Sequence, residues 1–201
     1  MNHAISTKTA TALLAGLLNP ENAVAWNEFQ QRYVPIMRSF ALKLGLNDAD
    51  ADDVTQDALV RFVRDYRAGK YDRERGRLRS WLVGIVKYRV ADFLRSRAMH
   101  PQRAGSSAMA NLPDDDALDK LWEAEERRTV LCRAFATLRE RSKLADKTIR
   151  AFERFVFDEL PAATVAAELE MAPHDVYVAR SRVFDRLQSI ISEIQSQYQD
   201  T

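Results

Sequence analysis

Apolar residues recur at spacings of three and four along nearly the whole chain, and this constrains the fold more than any other feature. Leu78, Leu82 and Ile85 show the pattern, and similar runs occur from end to end. Such spacing places apolar side chains on one face of an α-helix, whereas a half-buried strand needs strict alternation. The 201 residues include only six glycines, and Val and Ile rarely alternate with polar residues. We therefore predict an all-α fold with neither a parallel sheet nor a dinucleotide-binding loop.

A stretch rich in Pro, Gly, Ser and small residues interrupts this periodicity in the middle of the chain. We predict that residues 99–116 form a flexible linker. Residues 1–100 carry a net charge of +5 and the remaining residues carry −4, so the two halves have different surfaces. The sequence thus predicts two small helical domains, at residues 1–98 and 117–201.

The residue types needed for catalysis or metal binding do not cluster in the sequence. The single cysteine, Cys132, excludes an internal disulfide, and we expect it to be an ordinary packed thiol. The three histidines are far apart, and the acidic residues between 48 and 53 would diverge around a helix instead of converging on one ion. We therefore expect no metal site, no cofactor and no enzymatic activity.

No apolar run approaches the length of a bilayer span, and the first residues lack the apolar core and cleavage site of a signal peptide. The expected location is cytoplasmic, without membrane insertion.

Residues 61–97 concentrate positive charge, with 12 Lys/Arg against 4 Asp/Glu, a net charge of +8. Within the helix predicted there, Arg77, Trp81, Tyr88 and Arg95 fall in one narrow sector at about 100° per residue. Guanidinium groups suit phosphates, and aromatic rings suit unstacked bases, so this face fits unpaired nucleic acid. The alternative is that the two aromatic residues are half-buried in the core and the arginines form an ordinary solvated face.

The preceding helix, predicted from about residue 49 to 66 with Asn47 or Asp48 as its cap, has two different faces. Its buried stripe is predicted to contain Ala51, Val54, Ala58, Phe62 and Tyr66. Its opposite stripe contains Asp53, Gln56, Asp57, Val60 and Arg64. A polar stripe with an isolated valine is either a solvated helix face or a protein-docking surface.

A helix-turn-helix pattern lies near the C-terminus. Residues 160–169 predict a short helix with a proline in its first turn, residues 170–172 a tight connection, and Pro173 the start of a longer helix. Val176, Ala179, Val183 and Leu187 are predicted to face inward, and His174, Tyr177, Val178, Ser181 and Arg182 outward. In a helix-turn-helix the second helix enters the major groove of DNA, whereas an antiparallel helical hairpin has the same pattern without that function.

The order of these segments resembles bacterial RNA polymerase sigma factors of the extracytoplasmic-function (ECF) group, in the sigma-70 superfamily. The sequence DDVTQD at residues 52–57 precedes RGRLRSWL at residues 75–82, and the helix-turn-helix follows. The resemblance covers roughly residues 10–195. It implies a sigma-2 module, a linker that threads toward the polymerase active-site channel, and a sigma-4 module. The implied function is promoter recognition, promoter opening and transcription initiation, and the alternative is a helix-turn-helix regulator that does not dock on core polymerase.

The resemblance also implies roles for particular residues. Docking on the β′ clamp helices of core RNA polymerase would involve Asp53, Gln56, Asp57, Val60 and Arg64. Contacts with the minus-ten element would involve Arg75, Arg77, Arg79, Trp81, Lys87, Tyr88 and Arg95. Contacts with the minus-thirty-five element would involve His174, Tyr177, Val178, Arg180, Ser181, Arg182 and Arg186. The implied partners are core polymerase, through its β′ and β subunits, and promoter DNA, while control by an anti-sigma factor stays open.

Four positions depart from the family pattern. Tyr88 stands where asparagine is common, and Glu170 replaces the usual glycine of the turn. Ala172 replaces a Ser/Thr cap, which alanine cannot imitate. Asp185 occupies a position that is often basic, and a carboxylate facing phosphate is repulsive. These departures therefore weaken the match of the second motif to the family pattern.

Overall fold

The structure is a computed structural model that describes residues 10–98 and 112–198. All regular secondary structure in these two ranges is helical, which confirms the all-α prediction. The helices are α1 (Ala10–Leu17), α2 (Ala23–Lys43), α3 (Asp48–Arg67), α4 (Leu78–Ala98), α5 (Asp115–Arg141), α6 (Asp146–Val156), α7 (Ala162–Glu168) and α8 (Pro173–Ser196).

Residue contacts divide the chain into two compact units, and the boundary between them falls inside α5, between Thr129 and Val130. This differs from the sequence-based placement of the boundary in residues 99–116, most of which lie outside the described ranges. The reason lies in the first half of α5. Leu118 and Trp122 are fully buried in the core of the first unit, and the Trp122 ring lies 5.4 Å from that of Phe40.

The core of the first unit is formed by α1 to α4 and the beginning of α5. Phe29 of α2 stacks on Phe62 of α3, with ring centroids 4.4 Å apart. Pro35 lies inside α2, where the sequence favours a bend or a break, and the helix continues through it from Ala23 to Lys43. Proline removes one backbone donor, while the neighbouring Ile36 and Met37 are fully buried. Gly45, at a φ of 96°, follows the helix end.

The second unit contains the end of α5 and helices α6 to α8. Val176, Ala179, Val183 and Leu187 of α8 are buried, as predicted. The rings of Phe135, Phe152 and Phe157 form a second aromatic cluster, with centroids 5.1–6.1 Å apart. Apolar burial at these positions fixes which face of α8 remains in solvent.

Cys132 was predicted to be packed, but it is exposed on α5. The stripe of α5 that faces the core contains Val130 and Ala134 instead. Ser6 and Thr7, either of which could cap the first helix by residue type, lie outside the described residues. Within the described ranges, every helix is too short or too polar to span a bilayer.

Candidate nucleic-acid interface

The polar stripe of α3 is fully accessible. Asn47 caps the helix, and its Oδ1 accepts a hydrogen bond from the backbone N–H of Asp50 at 2.9 Å. All the residues expected to dock on polymerase are exposed, namely Asp53, Gln56, Asp57, Val60 and Arg64. Val60, the one aliphatic residue of this stripe, is 68% exposed. Asp53 and Asp57 form no ion pair within the described chain, so their carboxylates are available to a partner.

The neighbouring acidic residues at the start of α3 are already paired. Arg38 Nη2 donates to Asp48 Oδ1 at 2.7 Å, and its Nε donates to Asp52 Oδ1 at 2.5 Å. Arg97 Nη1 donates to Asp50 Oδ2 at 2.5 Å. These acids therefore tie α3 to α2 and α4. No group of three or more potential metal ligands comes together in residues 10–98 and 112–198.

A cleft of about 240 Å³ opens between α3 and α4. Its lining residues are Arg61, Asp65, Ser80, Trp81, Gly84, Ile85 and Tyr88. Gly84 contributes no side chain, and a Cβ atom added there would meet no other atom within 4 Å. Glycine in a helix interior costs about 1 kcal/mol relative to alanine. Gly84 therefore leaves space in the cleft that a side chain would occupy, and it makes the helix less stable than alanine would.

The two aromatic residues of this cleft differ in their surroundings. Trp81 is partly buried and stacks on Tyr71, with centroids 5.1 Å apart and planes 23° apart, and it also contacts Phe62. Tyr88 is 55% exposed. Trp81 thus combines a packing role with one accessible edge in the cleft, whereas Tyr88 presents its ring to solvent.

Asp65 is a buried carboxylate at the wall of the cleft. It accepts hydrogen bonds from Lys70 Nζ at 2.9 Å and from Arg61 Nε. Burial alone raises the pKa of Asp65, but the bonds from Lys70 and Arg61 outweigh that effect and lower the pKa to about 2. The carboxylate is therefore ionised at neutral pH and holds Arg61 at the cleft.

The basic residues expected on the minus-ten element fall into two groups. Arg75 and Arg77 are exposed, and Arg95 lies 57% exposed near Asp92. Arg79 and Lys87 are instead paired with acidic residues of α5. The sequence pattern singled out neither these acids nor Arg61, because they lie outside the basic-aromatic sector. The acids are revealed by their ion pairs with α4, and Arg61 is revealed by its position in the lining of the cleft.

The outer face of α8 presents most of the residues predicted there. His174, Arg180, Ser181, Arg182 and Arg186 are exposed. Tyr177 is 53% exposed and packs edge-on against Phe155, while Val178 is partly covered.

The turn before α8 carries the departures noted in the sequence. Glu170 adopts a φ of 51°, in the left-handed region that favours glycine. Ala172 occupies the N-cap position without a side-chain hydrogen bond. The backbone N–H of Ala172 donates a hydrogen bond to the Asp175 carboxylate at 3.3 Å.

Comparison with known families bears on the segment that contains α3, α4 and the cleft. Residues 29–99 match the family model described as Sigma-70 region 2. The match covers about a third of the chain and shows that the segment with α3 and α4 is similar to Sigma-70 region 2. A search of curated proteins gave no significant match to the chain.

Proposed function

We propose that this protein is a sigma factor of the ECF group, which recruits core RNA polymerase to promoters and opens the DNA. One observation carries the proposal: within the segment that matches Sigma-70 region 2, an exposed polar stripe on α3 adjoins a cleft lined by Trp81 and Tyr88. A docking face and a base-stacking site on neighbouring helices are what promoter opening by a polymerase-bound factor requires. Sigma factors recognise promoters without catalysing a reaction of their own, and no enzymatic activity is proposed.

In this proposal the cleft receives a base of the non-template strand. Tyr88 offers an exposed ring for stacking, and base–aromatic stacking contributes about 1–3 kcal/mol per base. Arg77 belongs to the same basic-aromatic sector and has no ion pair in the described chain, so its guanidinium is available to hold a phosphate. Because stacking is sequence-tolerant and requires an unpaired base, the cleft would act after the duplex begins to separate.

The second unit would bind the minus-thirty-five element through α8. Ser181 and Arg182 lie far from the buried face and would contact base edges, whereas Arg180 and Arg186 flank that face and would hold phosphates. In this proposal the sigma-2 and sigma-4 modules are the two compact units, which divide between Thr129 and Val130 instead of in the predicted linker at residues 99–116, and the site of action is the cytoplasm.

A helix-turn-helix regulator that acts without core polymerase is the second candidate. The exposed face of α8 supports it equally well, since duplex recognition needs only that helix. It leaves the cleft and the stripe of α3 without a purpose, because a duplex-binding protein has no need of a base-stacking site.

Run-off transcription with purified core RNA polymerase on genomic DNA fragments tests the proposal directly. A sigma factor produces discrete transcripts that neither component produces alone. A regulator of the second kind binds DNA fragments but gives no transcripts with core enzyme.

Charge reversal at Asp53 tests the docking face. We expect Asp53→Arg to weaken pull-down of core polymerase, because Asp53 is exposed and forms no ion pair in the described chain. Glu21→Arg is the matched control, since Glu21 is also exposed but lies outside the segment that matches Sigma-70 region 2. Equal binding by both variants and the wild type would remove the docking role of α3.

A further inference from the structure

A second basic site lies in the other compact unit, in a groove between α8 and the connection that joins α5 to α6. The groove has a volume of about 620 Å³. Its lining residues are Arg141, Ser142, Lys143, Leu144, Arg182, Asp185, Arg186 and Ser189. Four cations and one carboxylate give the lining a net charge of +3.

The cations of the groove lack acidic partners. Arg141, Lys143, Arg182 and Arg186 form no ion pair in the part of the chain that the structure describes. Other arginines of the same unit are paired: Arg139 with Glu153, and Arg154 with both Asp158 and Glu168. Cations brought together without a counter-charge repel one another, so an anion in the groove would relieve an electrostatic cost.

A polar group at the same place also lacks a partner. The Oγ atom of Ser142 is buried and makes no hydrogen bond within the described residues. A buried hydroxyl without a partner costs free energy comparable to a lost hydrogen bond. A phosphate in the groove would accept charge-assisted hydrogen bonds from Arg141 and Lys143, and a small shift of the connection would expose the Ser142 hydroxyl to it.

We propose that this groove is a phosphate-binding site. Two sources share this chemistry, the phosphodiester backbone of duplex DNA and a free polyphosphate. Arg182 favours the first, because it lies both on the exposed face of α8 and in the groove, and Arg186 extends the groove one turn further. With duplex DNA as the ligand, the inference rests on the proposed function, and it adds Arg141 and Lys143 to the residues that contact DNA.

The salt dependence of DNA binding provides the first test. The full chain is titrated with a fluorescent random-sequence duplex at several salt concentrations. The double variant Arg141→Ala/Lys143→Ala should lower the slope of log K against log salt by about 0.9 for each phosphate that the protein no longer neutralises. Arg150→Ala is the matched control, since Arg150 is an exposed cation of the same unit that has no ion pair in the described chain and does not line the groove.

A variant that is expected to bind more tightly serves as a control for misfolding. Asp185→Asn removes the acidic side chain that lines the groove and should tighten duplex binding, an effect that loss of folding cannot produce. Calorimetric titration with sodium tripolyphosphate tests the other source, with the wild type expected to bind more tightly than the double variant.

The two titrations test the phosphate site, and the transcription assay tests the proposed function separately. If only tripolyphosphate binding depends on Arg141 and Lys143, the site stands and its ligand is a free polyphosphate. If neither titration responds to the double variant, the inference is overturned, even where run-off transcription succeeds. If transcription fails while the groove residues still control phosphate binding, the proposed function fails and the phosphate site remains.

Discussion

Arg79 of α4 donates a hydrogen bond from Nη1 to Oε1 of Glu123 in α5, at 2.9 Å. A parallel pair joins Lys87 Nζ to Asp115 Oδ1 at 2.8 Å. Two of the cations expected on the minus-ten element are therefore neutralised by α5 in the free chain. DNA phosphates would have to compete with these carboxylates, so we expect α5 to weaken any binding of DNA to α4.

Removing the charge of Glu123 should weaken the hold of α5 on Arg79, whose remaining acidic neighbour, Asp119, lies 3.9 Å away. We expect Glu123→Gln to tighten binding of single-stranded DNA by about 0.2–1 kcal/mol, the usual range for an exposed ion pair, as measured by fluorescence anisotropy. Glu140→Gln makes the same charge change at an exposed acid that forms no ion pair in the described residues. Equal tightening by both variants would mean that net charge, and not release of Arg79, is responsible.

Gly84 allows the cleft to be filled without disturbing its walls. We expect Gly84→Leu to leave the fold and core-polymerase binding intact but to impair promoter opening, because the leucine occupies the space where a base would stack. Permanganate footprinting of unpaired thymines measures this step, and gel shifts measure the closed complex. Gly84→Ala is the control and should raise helix stability by up to about 1 kcal/mol.

Tyr88→Ala should act on the same step as Gly84→Leu, with stability unchanged. Trp81→Ala should also destabilise the fold, since Trp81 stacks on Tyr71. Normal footprints for both Gly84→Leu and Tyr88→Ala would exclude the cleft from strand opening.

Asp65 should make the free energy of unfolding depend on pH. Its pKa is about 2 in the folded chain against an ordinary value of 3.8, so the unfolded chain binds more protons between these values. The contribution of Asp65 is therefore fully present above pH 3.8 and is lost as pH falls toward 2. Urea unfolding followed by tryptophan fluorescence should show Asp65→Asn destabilised at neutral pH, with the difference from wild type shrinking in that window.

Asp57→Asn serves as the control for Asp65, because Asp57 is exposed on the same helix and has no ion pair in the described chain. A pH-independent difference between wild type and Asp65→Asn would show that Asp65 acts by packing and not by charge.

Glu170 holds a backbone conformation that glycine adopts more easily. A non-glycine residue in the left-handed region costs roughly 1–2 kcal/mol, and the greater freedom of glycine in the unfolded chain offsets part of that difference. We expect Glu170→Gly to raise the free energy of unfolding of the second unit by up to about 1 kcal/mol, as measured by thermal unfolding. A lower unfolding temperature would show that the glutamate side chain has a stabilising contact.

Helical periodicity predicted the all-α class and helices at the positions of α3, α4, α7 and α8, but the start of α5 lies inside the predicted linker. The buried residues of α3 and α8 occupy the predicted faces, because an amphipathic helix has a single way to cover its apolar stripe. The same argument could not predict that α2 would pass through Pro35. That outcome depends on how tightly Ile36 and Met37 pack against other helices, and tertiary packing overrides local preference.

The candidate sites were only partly accessible to sequence reasoning. Tyr88 was placed correctly in solvent, since it lies opposite the apolar stripe of its own helix. The pairing of Arg79 with Glu123 joins residues 44 positions apart, and no periodicity within one helix reports such a contact. The same limit applies to the groove of the second unit, where Arg141 approaches α8 only through the fold.

The burial of Trp122 determines where the chain can be cut for separate study. A fragment that ends at residue 98 would leave Phe40 without its aromatic neighbour, a loss comparable to the roughly 3–5 kcal/mol of a large-to-small core substitution. A fragment that continues to Thr129 keeps Leu118, Trp122 and the acidic partners of α4. The longer piece therefore retains most of the core around the region that matches Sigma-70 region 2, whereas the shorter piece exposes the apolar surface that Leu118 and Trp122 cover.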